Sequence, residues 1–71
     1  MNTRLLNSQP WRFQVSDTVY VRKWPADETG RVTGLIKSRA FPHYLVVDSG
    51  GMEWQVAQVE LSSKPIPVAV L

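Results

Sequence analysis

From Phe13 to Leu61 the chain is a string of short apolar runs, each ended by a turn signal, and none has the length of a helix. β-Branched and aromatic residues fill the runs. Phe13 and Val15 alternate with Gln14 and Ser16, and Val19 and Val21 alternate with Tyr20 and Arg22, the period of half-buried strands. Asp17 is placed to bond the backbone of a tight turn before the strand. Trp24 to Thr29 is a loop, because Pro25 removes a backbone donor and holds Trp24 extended. Gly30 opens a strand in which Val32 and Ile36 share one face with Gly34 between them, while Arg31, Thr33, Leu35 and Lys37 share the other. A glycine within a strand marks a bend or a close backbone approach. Ala40 to His43 is a second loop. Tyr44 to Val47 is apolar on both faces and is expected to be the most buried strand. Asp48-Ser49-Gly50-Gly51 is a hairpin signal. Met52, Trp54 and Val56 then alternate with Glu53, Gln55 and Ala57, and Gln58 to Glu60 reads as one tight helical turn before a last strand at Leu61.

Five short strands with such turns predict an all-β chain closed into a small barrel. The expected core is Val19, Val21, Val32, Ile36, Leu45, Val47, Trp54, Val56 and Leu61. Residues 1–12, with Leu5-Leu6 and the Pro10 break, are expected to be a flexible N-terminal arm, 13–63 the barrel, and 64–71 an apolar, proline-containing tail.

A chain of 71 residues is one domain at most. A fold of this size buries only about 60% of the surface its unfolded chain exposes, so an oligomer or a partner complex is an accessible route to further stability. Apolar residues make up 44% and charged residues 20%, which is globular rather than disordered composition. With no cysteine, disulfide staples and thiolate metal sites are excluded. The first residues carry no apolar signal-peptide run, and no stretch approaches the about 20 apolar residues of a membrane-spanning helix, so a cytoplasmic protein without membrane contact is expected. The formal net charge is only +2, but residues 1–40 hold seven basic and three acidic side chains, against one and three in residues 41–71. Folding either separates these into two surfaces or interleaves them.

The segments Phe13 to Arg22, Thr29 to Val32, Tyr44 to Val47, Ser49 to Gly51, Trp54 to Val56 and Val59 to Leu61, in that order, resemble the SH3-like barrel. The resemblance covers about two-thirds of the chain. Such domains often open on a Gly-Asp pair, where this chain has Ser16-Asp17. It implies a five-stranded barrel and leaves function open, because the fold hosts many roles. Gly30 to Ile36 is similar to the glycine-centred strand of KOW and integrase C-terminal barrels, which implies nucleic acid or ribosome binding. Trp24, Tyr44 and Trp54 are placed in order for the aromatic cage of Tudor-like readers. The layout also resembles the type II dihydrofolate reductases, pore-forming tetramers. Gln55-Val56 matches that family's pore run, and Ala57 stands where the family has tyrosine.

The chemistry-bearing residues are few. His43 has no nucleophile or carboxylate at a recognisable spacing and reads as a surface histidine. Asp27-Glu28 are adjacent acids without further ligands and read as solvated. Gly50-Gly51 lacks the helix and lysine of a phosphate loop. No catalytic residue, metal or cofactor is implied. What stands out is a basic and aromatic set: Tyr20, Arg22, Lys23, Trp24, Arg31, Lys37 and Arg39. If their strands present them together, the cations neutralise phosphates and the rings stack on unpaired bases. The plainer reading is a solvated wall. The leading expectation is a non-enzymatic binding module for a protein or nucleic acid. The alternatives are an oligomeric pore-type enzyme subunit with Gln55 and Val56 at its site, and an accessory subunit of a larger complex. A homo-oligomer or obligate complex is expected, with residues 65–71 at the contact.

Overall fold

The computed structural model describes residues 11–67. The described chain forms one sheet of five antiparallel strands: β1 (Thr18–Val21), β2 (Thr29–Ile36), β3 (His43–Val47), β4 (Glu53–Ala57) and β5 (Leu61–Ser62). A 3₁₀ turn, Gln58–Glu60, joins the last two. The order across the sheet is β4-β3-β2-β1-β5.

Local chemistry sets the turns. Before β1, Ser16 takes a φ of 86°, the left-handed conformation that glycine adopts freely. Around it the Asp17 amide donates to Gln14 O at 3.0 Å, and the Gln14 amide donates to Asp17 Oδ2 at 3.0 Å. In the β3–β4 hairpin only Gly51 has a positive φ, 85°. Asp48 Oδ1 accepts from the Gly50 and Met52 amides, both at 2.9 Å, closing a loop in which the left-handed glycine relieves the strand junction.

One face of the sheet carries the core. Val19, Val21, Val32, Tyr44, Val46, Val56 and Leu61 are buried, with Phe13 joining from before β1. Full burial of an aliphatic side chain contributes about 1.5–3 kcal/mol relative to exposure, so this face supplies most of the folding drive. Of the expected core, Val19, Val21, Val32, Val56 and Leu61 lie there. Leu45 and Val47 do not; β3 turns Tyr44 and Val46 inward instead, in register with Val56 and Trp54 of β4. The alternation within β3 is apolar throughout, so only its neighbours settle which residues point in. Ile36 is displaced by a second effect. The β2–β3 register shifts between Val32 and Gly34, after which Leu35, not Ile36, pairs with Tyr44 and packs on the core. The bulge reverses the phase of the strand's second half.

The expected closed barrel is not formed: the ladder is open, with β4 and β5 as its edges. β5 is two residues long and its pairing is spent on β1 through Tyr20 and Val21. The 3₁₀ turn leads away from β4, with the Gln58 amide donating to Pro42 O at 2.9 Å. Trp54 is therefore in phase with the core but 45% exposed, because among the described residues no strand lies beyond it.

At one end of the core, Tyr44 meets the rings of Trp11 and Phe13 edge-on, at centroid distances of 5.4 and 5.7 Å. Its hydroxyl accepts from the Phe13 amide and donates to Gln58 Oε1. Residues 11 and 12, placed by sequence in the arm, thus contact the body, and the Arg12 amide also donates to Gln58. Leu5, Leu6 and Pro10 lie outside the described residues, as do Val68 to Leu71 of the tail. Among the described residues no helix is long and apolar enough to cross a membrane.

Candidate functional site

The open seam of the sheet is a groove of about 640 Å³ between β4 and the loop that follows β1. Trp24 and Trp54 line it together, with Lys23, Arg39 and Glu60 among the other lining residues.

Each wall is built from local chemistry. Trp24 sits in a loop folded by two tight turns, its own amide donating to Val21 O at 3.0 Å and the Glu28 amide to Pro25 O at 2.9 Å. The Ser49 hydroxyl donates to Glu28 Oε2 at 2.9 Å, tying this loop to the β3–β4 hairpin. The Trp24 ring reaches the sheet because residue 30 is glycine. A Cβ there would lie 2.5 Å from Val46 Cγ1 and 3.0 Å from Trp24 Cζ3. The loop thereby brings Trp24 edge-to-face with Trp54, at a centroid distance of 6.2 Å and an interplanar angle of 64°.

Trp54 is oriented from the hairpin. Its Nε1 donates to Asp48 Oδ2 at 3.0 Å. That indole bond, followed by the Met52 amide, holds the Asp48 carboxyl below its ordinary value. One carboxylate thus braces the turn with one oxygen and aims an exposed ring with the other.

The other lining groups differ in what they leave unused. Arg39 Nη2 donates to Gln55 Oε1 at 3.1 Å across the edge of β4. Glu60 is fixed through its backbone, whose oxygen accepts from the Arg22 amide at 2.8 Å. Its side-chain Oε1 is buried and has no hydrogen-bond partner among the described residues. His43 Nδ1 lies 2.9 Å from Phe41 O, so the ring is engaged by its own loop.

The sequence-selected residues are divided among several places. Lys23, Trp24 and Arg39 come together in the groove, and Gln55 and Val56 of the alternative pore site line it too. Gln55 is exposed, whereas Val56 is buried in the core. Tyr20 and Arg22 line a neighbouring cleft of about 310 Å³ that Ile66 of the same chain also enters. Arg31 lies elsewhere, beside Thr18, Val47 and Asp48. Lys37 is exposed beyond the end of β2. Simple alternation puts Arg31 and Lys37 on one face, but the bulge between them breaks that phase. Tyr44 is fully buried and takes no part in an aromatic cage.

Asp48 and Glu60 are not among the residues the sequence singles out, and Trp54 enters there only as an expected core residue and as one ring of the aromatic cage. The Asp48 signal was present, since an aspartate opening a Gly-Gly hairpin invites side-chain capping. Nothing in the sequence shows that Trp54 ends on an open edge. Among the described residues no group of three or more histidine, aspartate or glutamate side chains is placed to hold a metal. Compared with protein-family models, curated proteins and solved structures, the chain matches none of them.

Proposed function

We propose that this protein is a non-enzymatic binding module that takes an extended segment of a partner protein in the groove beside β4. The observation that carries the reading is the edge of β4, which among the described residues has no strand neighbour on its outer side and borders a groove lined by two tryptophans. A free edge presents unpaired backbone donors and acceptors, and a peptide strand added there satisfies them. The rings give its side chains area to bury. The strand order, with a 3₁₀ turn before the last strand, supports the SH3-like reading of the fold, with the seam left open for the ligand. A continuous phosphate track is less well supported, because Arg31 and Lys37 stand apart from Lys23 and Arg39.

Selection from a library of random displayed peptides, followed by amide exchange of the complex, tests this. Bound peptides are expected to protect amides of Glu53–Ala57 and to quench tryptophan fluorescence. If single-stranded oligonucleotides bind the groove with steep salt dependence and no peptide is selected, the ligand is nucleic acid and the peptide reading falls.

A further inference from the structure

We infer that the peptide taken by the groove carries an acidic residue, aspartate or glutamate, at the position opposite Gln55, with an apolar residue on either side of it. This rests on the peptide reading above and specifies the sequence that such a peptide must carry.

The two faces of β4 set the pattern. Trp54 and Val56 stand opposite Val46 and Tyr44 of β3, both buried, so they point to the core side of the sheet, while Gln55, opposite Leu45, points to the other. Directly opposed residues of a ladder share a face. A strand laid along the outer edge of β4 therefore places the residue opposite Gln55 on the Gln55 side. Its two neighbours fall on the side of Trp54 and Val56, where apolar side chains find a ring to cover. Arg39 makes the Gln55 side positive. Its Nη2 donates to Gln55 Oε1 at 3.1 Å, which holds the guanidinium beside that side chain. A guanidinium has five N–H donors, and this bond uses one. Lys23 lines the same groove and is exposed, and among the described residues its ammonium makes no hydrogen bond or ion pair. The nearby acids do not cancel these two cations. Glu60 Oε1 is buried and shielded from the groove. Glu53 is exposed two residues along β4, opposite Val47, so it repels most an acid placed opposite itself. A carboxylate opposite Gln55 thus takes charge-assisted bonds from the remaining donors of Arg39. Both cations are hydrated before binding, so the gain is a preference among peptides and not the whole affinity.

The test takes peptides selected from a random displayed library on the full chain and titrates them by NMR. They are expected to share an acid at one position, with apolar residues before and after it, and cross-strand contacts are expected to place that acid opposite Gln55. Replacing the acid by glutamine should weaken binding about fivefold, and lysine in its place should weaken it further. In Arg39→Gln, which removes the charge of an exposed side chain, the acidic and glutamine peptides should bind alike with the spectrum otherwise folded. Lys23→Gln should shrink the difference by less. Glutamine or lysine peptides that bind the full chain as tightly as the acidic ones, or an undiminished acid preference in Arg39→Gln, overturn the inference. If peptides dock on β4 and show no acid preference, this inference falls and the peptide reading stands. If no selected peptide docks on β4, the peptide reading falls and this inference with it.

Discussion

The two aromatic clusters of this small sheet use the same edge-to-face packing toward opposite ends. Around Tyr44 the rings of Trp11 and Phe13 close over a fully buried side chain, and the hydroxyl is bonded on both its donor and its acceptor side. Around Trp54 the rings stop short of closure, the indole is nearly half exposed, and a carboxylate oxygen is left without a donor. The difference lies in position. Tyr44 is on β3, flanked by strands on both sides, whereas Trp54 is on an edge. A central aromatic stabilises the fold, while an edge aromatic held in place by an acid is available to a ligand.

The largest expected effect comes from breaking the closed cluster. Tyr44→Ala should cost about 3–5 kcal/mol in urea unfolding, a large part of what so small a domain has. A loss no greater than that of Trp54→Ala would show that the two clusters do not differ as described.

The link between the core and the open cluster is tested at Gly30. Gly30→Ala places a methyl against Val46 and the Trp24 ring, so a destabilisation of about 1–3 kcal/mol is expected. The Trp24 indole resonance should move with it. An unchanged indole signal would mean that the Trp24 position does not depend on the missing Cβ.

Trp54→Ala should cost less, about 0.5–1.5 kcal/mol, the worth of an aromatic pair on a surface, while abolishing peptide capture. Stability lost on the scale of Tyr44→Ala would place Trp54 in the core after all.

The smallest effect is a pH dependence. The Asp48 carboxyl is held below its ordinary value of 3.8, first by the Trp54 indole and then by the Met52 amide. Its ionised form is the bonded one, so the contribution is fully present above that ordinary value and is lost as pH falls through the lower folded value. Trp54 fluorescence should change only in that acidic window, and Asp48→Asn should remove the transition. A fluorescence step near neutral pH that survives Asp48→Asn would show that another group orients the ring.

Much of the fold was legible because turns and alternation are local. Pro25, Pro42 and the Asp48–Gly51 run punctuate the chain where the strands end. The inward residues of β1, and Val56 and Leu61, follow from the period of a strand. The site was legible only in pieces. Lys23, Trp24 and Arg39 belong to a set of seven with Tyr20, Arg22, Arg31 and Lys37, and Gln55 and Val56 to a separate alternative; the groove gathers the first three and the last two and leaves out the other four.

What the sequence determined by itself was therefore the all-β character, the turns and the order of the strands, since these depend on backbone preferences and on residues a few positions apart. The tertiary structure decided the rest. It chose Tyr44 and Val46 over Leu45 and Val47, because an all-apolar strand carries no internal mark of its inner face and takes one from its neighbours. It moved the core position from Ile36 to Leu35 through a bulge that a lone Gly34 only hinted at. It also left the outer edge of β4 without a strand among the described residues, because the two residues of β5 pair with β1, and that placed Trp54 at an open seam beside Trp24 and Glu60. Closure depends on where a chain's last strand finds its partner in space, which no local pattern encodes.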